Sequence, residues 1–329
     1  MDALVPPDDA LATIPLIDGG TDATRVLLSA EPARLAALVA SARRHYGGPA
    51  MAVGDALSRR WLRRTENPYT AEIAAAAERI GRSGAYLLNL SYEWTCTTAV
   101  GADGAGRMLR VLDWPLDGLG ANIVVLRRDG AAGAYYDVTW PGFAGVVTAM
   151  APGRFSAAIN QTPMPMYTPS CWLDWGISRL RGLGRAGLPP AHLLRRAFDT
   201  CRTYAEAAAM LTETPIAAGA FFSLAGTKPG EGMVIERATD ATMIHASPVA
   251  VANDWIGFER PGRPRGRDSR ERRDLLARLA ADAADDFAWL LPPVLNPTTR
   301  LAVVADAARG ALVVRGFEER GRVTADFRL

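Results

Sequence analysis

Apolar positions in the first third of the chain recur at three- and four-residue spacing, which predicts helices over 31–45, 51–64 and 70–82. Asn67-Pro68 marks a break before the third. The pattern changes near residue 95. From Trp94 onward, short apolar runs between turn residues predict strands over 96–100, 107–112, 122–127, 134–140, 146–150 and 155–159. Asp103-Gly104, Asp129-Gly130 and Pro152-Gly153 fall where hairpin turns belong. Helical spacing returns over 171–181, 190–200 and 204–212, the last behind Thr203 as N-cap. Strands follow over 220–224, 232–236, 241–245 and 249–253, then a helix over 268–281 and two strands over 301–305 and 310–315. Blocks of hairpin-linked strands separated by helices predict an α+β fold, with two antiparallel sheets packed together and helices outside. The Arg/Pro/Gly stretch 259–268 is the nearest thing to a linker.

Composition narrows the function classes. At 49% hydrophobic and 22% charged, 329 residues make an ordinary globular chain of one large domain or two small ones. A net charge of +2 excludes a nucleic-acid binder held by bulk charge and an acidic solvating protein. MDALVPPDDALATIP has no basic region leading into an apolar one, and no apolar run approaches a membrane span. A cytoplasmic setting is therefore the expectation. Cys96, Cys171 and Cys201 form no CxxC pair, and His45, His192 and His245 have no metal-ligand spacing or triad partner. Neither a disulfide framework nor a zinc site is expected, and Cys171 and Cys201 are read as core residues.

Cys96 opens the first strand of the second region, in SYEWTCTTAV. A lone cysteine in an apolar strand is usually packing. Fourteen residues later, across a turn, RMLRVLDWP brings back Arg110 and Asp113. A hairpin of that length places Arg110 near the cysteine, where a guanidinium favours thiolate over thiol. Asp113 is then available to orient an amine or the arginine. The charge run around Arg270, with seven arginines between Arg260 and Arg273, reads as a solvated face or a phosphate patch. Phe258 is the sole aromatic residue beside it, which gives base stacking little support.

CTTAVGADGAGRMLRVLDWP resembles the segment that begins the mature catalytic subunit of the acid ceramidase and N-acylethanolamine acid amidase family. These are N-terminal-nucleophile (Ntn) cysteine amidases related to the choloylglycine hydrolases. The chain keeps Cys-Thr-Thr, the turn and Arg-x-x-Asp, but has Leu109 and Val111 where the family has glycine and asparagine. FAGVVTAMAPGRFSAAIN, TYAEAAAMLTETPIAAGAFFSLAGTKPGEGMVIER, VANDW, DSRERR and LNPTTRLAVVADAARGAL resemble later family segments in the same order.

The resemblance implies a four-layer αββα Ntn-hydrolase sandwich, with a helical N-terminal segment over 1–95 and a catalytic domain over 96–329. It implies self-cleavage between Thr95 and Cys96, retention of the N-terminal piece, and a freed Cys96 that attacks an N-acyl amide through an acyl-thioester. By the same resemblance Arg110 and Asp113 hold the nucleophile, Asn253 supplies an oxyanion donor, Asn160 lies near the oxyanion, and Arg270 supports cleavage or substrate polar groups. No metal or organic cofactor is implied. A fatty acyl chain fits best, in an apolar groove shared between the catalytic strands and helix faces carrying Leu35, Leu38, Val39, Leu57, Trp61 and Leu62. The alternatives are shorter or bulkier acyl groups as in penicillin V acylase or bile salt hydrolase, acyl transfer to an amine, and a non-catalytic binding protein on the same scaffold. The expected partner is a small-molecule N-acyl amide, with no nucleic acid and no transmembrane segment, and with transient contact to a membrane surface compatible with the composition.

Overall fold

The computed structural model describes residues 11–90, 94–101 and 106–329. The expected turn at Asp103-Gly104 lies outside the described residues, as do the first ten residues and 91–93. The N-terminal region forms a short strand β1 (Leu16–Asp18) and five helices. These are α1 (Ala23–Ala30), α2 (Pro32–Tyr46), α3 (Gly48–Arg64), α4 (Thr70–Ile80) and α5 (Ala85–Leu90). Proline in the first turn opens α2 and α3, and Gly81 in the left-handed region closes α4. The apolar periodicity anticipated α2, α3 and α4. It did not reveal α1 and α5, which are too short to repeat a stripe.

Beyond residue 94 the chain builds two sheets. The larger comprises β1, β4 (Val124–Gly130), β5 (Gly133–Thr139), β6 (Thr148–Ala151), β7 (Phe155–Gln161), β9 (Ala220–Ala225), β10 (Gly232–Arg237) and β11 (Thr242–Ala246), in that order. The smaller runs β12 (Val249–Val251), β2 (Thr95–Val100), β3 (Arg107–Asp113), β14 (Thr299–Asp306) and β15 (Ala311–Glu318), with β16 (Gly321–Arg322) and β17 (Phe327–Arg328) both pairing with β15. Among the described strands every pairing is antiparallel except one: β1 joins β4 in parallel, so the N-terminal segment contributes the edge strand of the larger sheet.

The sheets pack face to face through β2, β3 and β14 on one side and β6, β7 and β9 on the other. Helices α7 (Pro190–Thr200) and α8 (Tyr204–Glu213) cover the outer face of the larger sheet, and α9 (Ser269–Leu279) covers the smaller. The expected αββα layering is present. Its main core fills the space between the sheets, with Val100, Leu112, Phe221 and Val303, and continues between the larger sheet and α7 and α8, with Ile159, Phe222 and Phe198. A second core lies under α9, and a third joins α2–α5. Helix α6 (Cys171–Gly184) stands beside a two-stranded ribbon, β8 (Met164–Pro165) with β13 (Gly262–Arg263). Cys171 is exposed, against the expectation of a core position, because it is the first residue of α6. The stretch 259–268 is likewise no linker, since it supplies β13 and packs over the start of β2.

A buried polar network ties the N-terminal helices to the sheet. Arg195 on α7 donates to both carboxylate oxygens of Glu72 on α4 (2.7 and 2.8 Å) and to the Ala144 carbonyl (2.7 Å). Its guanidinium also stacks over the Tyr69 ring. Glu72 further accepts from the Thr24 hydroxyl on α1. Nearby, burial pushes the His192 imidazole down to about 3, so it accepts from Asn67 as a neutral ring. Glu72→Gln replaces a carboxylate that is 31% exposed with a neutral partner, while Asp199 stays 3.5 Å from Arg195. The expected cost is about 1.5 kcal/mol, read as a lower midpoint of urea unfolding at unchanged slope.

Candidate active site

The β2–β3 register decides which groups meet. Cys96 lies opposite Leu112 and Thr98 opposite Arg110, while Thr95 lies opposite Asp113. Residues directly opposite share a face. Cys96, Thr98, Arg110 and Leu112 therefore face the larger sheet, and Thr95, Thr97, Val111 and Asp113 face α9. The expected hairpin proximity of Arg110 to Cys96 holds, but Asp113 reaches the site from the opposite face.

On the intersheet face, Arg110 is wholly buried. It donates to Thr98 Oγ1 (3.0 Å), Asn160 Oδ1 and the Ile159 carbonyl (2.7 Å). Asn160 is a hub on this face. Its Oδ1 accepts from Arg110 and Thr98, and its Nδ2 donates to the Val251 and Ala252 carbonyls at 3.1 and 3.0 Å. That arrangement locks β7 to β12 just ahead of Asn253.

Asn253 Oδ1 accepts from the main-chain nitrogen of Cys96 (2.9 Å) and from Arg272 Nη2 (3.1 Å). Its Nδ2 donates one hydrogen to the Gln161 carbonyl (2.8 Å), and its own N–H donates to Ser269 Oγ (2.9 Å). The side-chain orientation is unambiguous, since a reversed amide would set donors against donors. The second Nδ2 hydrogen remains for another acceptor.

The structure does not bring Arg270 to this cluster. Its side chain is 78% exposed and lies 3.6 Å from Asp254. Arg272 takes that place, with 2% exposure. It donates to the Cys96 carbonyl (3.1 Å), Thr97 Oγ1 (2.9 Å), Asp113 Oδ2 (2.9 Å), Asn253 Oδ1 and the Arg267 carbonyl (3.0 Å). Two residues turn a helix by about 200°, so Arg270 and Arg272 cannot share a face. The sequence carried the signal: Ser269, Arg272 and Leu276, at three- and four-residue spacing, are the buried positions of α9. Thr299, whose hydroxyl donates to Asp113 Oδ1 (2.8 Å), had no comparable signal because its partner is 186 residues away.

Electrostatics in the continuous chain favour the thiol. Burial pushes Cys96 up to about 12, with the Arg110 guanidinium pulling the other way. The expected net gain of thiolate is thus absent while the site is closed. Burial likewise raises Asp113, opposed by Arg272 and Thr299.

An apolar cavity opens next to β2 and β3. Trp94 just ahead of β2 and Leu112 on β3 line it, with Trp114 and Leu119 from the following loop and Leu35 and Leu38 from α2. Of the helix residues anticipated for a groove, Leu35, Leu38 and Val39 are there. Trp61 and Leu62 are instead packed inside the helical core, and Leu57 is exposed, because α3 turns those positions away. Among the described residues there is no group of side chains suited to hold a metal and no helix long and apolar enough to cross a membrane.

No family model matches the chain. It is similar to curated N-acylethanolamine-hydrolyzing acid amidases, being 27% identical over 179 residues to that of Cavia porcellus and 28% over 180 to that of Mus musculus. It is 25% identical over 186 residues to the acid ceramidase of Balaenoptera acutorostrata scammoni. These matches take in 50–52% of this chain and 45–48% of each relative. The chain thus spans about half the length of the curated relatives it matches. Among solved structures, a Caenorhabditis elegans N-acylethanolamine-hydrolyzing acid amidase ortholog gives a TM-score of 0.48 at 19% identity, over 65% of this chain and 93% of that one. A conjugated bile acid hydrolase from Clostridium perfringens gives 0.46 at 10% identity, over 71% and 92%.

The exposure contrast predicts an asymmetric mutational response. Arg270→Ala should leave stability within about 0.5 kcal/mol of the parent and leave activity intact. Arg272→Met should cost about 3 kcal/mol or more by stranding Asp113 and abolish activity. Thermal unfolding of the two variants, read beside turnover, checks this.

Proposed function

We propose that this protein is a self-processing Ntn cysteine amidohydrolase that cleaves N-acyl amides through an acyl-thioester on Cys96. One observation carries the reading. The main-chain nitrogen of Cys96 rests on Asn253 Oδ1, its side chain lies beside Arg110, and an apolar cavity begins at Trp94 and Leu112. Any buried main-chain N–H needs an acceptor, but beyond the end of the β12 ladder this one is met by a side-chain amide that Arg272 holds in turn. The similarity to amide-cleaving relatives supports the same class.

In an unbroken chain that nitrogen is an amide and cannot take a proton. Attack of Cys96 Sγ on the Thr95 carbonyl carbon forms a thioester, breaks the Thr95–Cys96 amide bond and leaves the nitrogen as an α-amine. Water then cleaves the thioester, giving the Thr95 carboxyl group and restoring the thiol. The α-amine has a reference pKa of about 7.7–8.0, suited to a general base near neutrality. It stays aligned by Asn253 Oδ1, which Arg272 holds in turn.

In turnover the amine takes the Cys96 thiol proton as sulfur attacks the substrate carbonyl. On this reading the second Nδ2 hydrogen of Asn253 meets the oxyanion, a contact typically worth about 2.7–4 kcal/mol. The amine proton passes to the leaving nitrogen, and water releases the acid from the thioester. Arg110 acts on the sulfur by charge. Asp113 acts through Arg272.

The cavity favours an apolar acyl group, and a fatty acyl chain is the first reading. Its aromatic walls, with Trp94, Trp114, Trp140 and Phe143, also suit a bulkier or aryl acyl group, which is the second. N-acylethanolamides of increasing length, assayed beside a ceramide, a bile-acid conjugate and penicillin V, separate the two. The first reading expects kcat/KM to rise by up to about fourfold per buried methylene, then to level off once the cavity is filled. A flat profile or a preference for penicillin V overturns it in favour of the second. No turnover of any amide overturns the amidase assignment.

A further inference from the structure

The loop that leaves Asp113 carries three residues of the cavity wall, Trp114, Leu116 and Leu119. Loops of this kind are usually mobile, yet the backbone of this one is held at almost every step. Glu318, at the end of β15, accepts through Oε1 from the N–H groups of Gly120 (2.8 Å) and Ala121 (3.2 Å), and through Oε2 from that of Gly118 (3.1 Å). Arg300 on β14 lies 3.5 Å from Glu318 Oε2, with its side chain 2% exposed, and donates Nε–H to the Leu116 carbonyl (3.0 Å). The close approach of Gly120 to the Phe317 carbonyl leaves no room for a Cβ, so strand and loop are in direct backbone contact.

Neither Arg300 nor Glu318 lines the cavity or touches the Cys96 cluster. Arg300 also donates to the Pro297 and Thr299 carbonyls at the start of its own strand (3.0 Å each), and the remaining contacts of the pair go to the loop that runs from β3 to the cavity wall.

We propose that the Arg300–Glu318 pair is a specificity-determining clamp that fixes the 114–122 wall and so sets the length of acyl chain the cavity accepts. This rests on the reading that the acyl group occupies the cavity. With three backbone donors and a guanidinium converging on one carboxylate, the wall is preorganised, and the ordering cost falls before ligand binding rather than during it. The clamp is a positioning device. It does not act on the reacting atoms.

Glu318→Gln keeps the shape but turns one acceptor oxygen into a donor that faces the loop N–H groups or Arg300. For N-acylethanolamides of the preferred length, the expected result is a rise in KM of about tenfold, equivalent to losing contact with about two methylenes. The kcat for N-acetylethanolamine, whose acyl group is too short to reach the wall, should change less than about twofold. Leu119→Ala shortens one wall side chain without disturbing the clamp, and should shift the preferred acyl length upward. Equal losses for long and short substrates, at an unfolding temperature matched to the parent, would mean that the clamp serves the fold and not selectivity.

A binding measurement keeps this separate from the amidase assignment. In Cys96→Ala protein, cis-parinaric acid fluorescence reads cavity occupancy without chemistry. Glu318→Gln in that background should weaken its binding by a similar factor. Equal binding with and without the substitution, or no binding by the Cys96→Ala protein itself, would overturn the clamp even if the enzyme hydrolyses amides.

Discussion

Arg272 is the interaction on which the site depends. Its guanidinium is almost sealed from solvent, yet its donors reach Arg267, Cys96, Thr97, Asp113 and Asn253. A guanidinium cannot shed its proton inside a protein, so burying one costs several kcal/mol unless acceptors surround it. The fold supplies those acceptors from β2, β3, the loop ahead of α9 and the segment after β12. Docking α9, aligning Asn253 and keeping a buried carboxylate at Asp113 are thereby one structural event. None of the three can be relaxed alone.

That constraint splits the chemistry across the two faces of one strand. Sulfur and Arg110 lie between the sheets, and Asp113 and Arg272 lie under the helix. They meet at the start of β2, where the Cys96 nitrogen touches Asn253. The closed site holds a thiol pushed up to about 12, and the nitrogen beside it is an amide. On the proposed reading, breaking the bond before Cys96 changes this in one step. It adds a titratable amine and a new chain end at the place where burial suppresses the thiolate.

The α+β class and most elements were legible in the sequence, because hairpin turns and apolar alternation are local signals. So was the nearness of Arg110 to Cys96 on one face of the β2–β3 hairpin, which needs one hairpin of ordinary length. Elements that depend on distant partners were not legible. β1 has no alternation of its own and exists as the parallel neighbour of β4, while β8 and β13 are two residues each and 98 apart. In the site, Asn253 was found through its motif, but the choice between Arg270 and Arg272 required helix phase. Asn160 was singled out by resemblance alone, and nothing local in the sequence showed that four hydrogen bonds tie its side chain to Thr98, Arg110 and β12. Arg300 and Glu318 gave no sequence signal, because what they hold is backbone.

The central claim is that this geometry exists to break the bond before Cys96. Intact-mass analysis of the purified protein, with N-terminal sequencing of any fragment, tests it most directly. The account predicts two pieces that meet between Thr95 and Cys96, with the second beginning Cys-Thr-Thr, and a single uncut chain for Cys96→Ala. Amide hydrolysis by a chain that never breaks there, or cleavage of Cys96→Ala at the same bond, would contradict it.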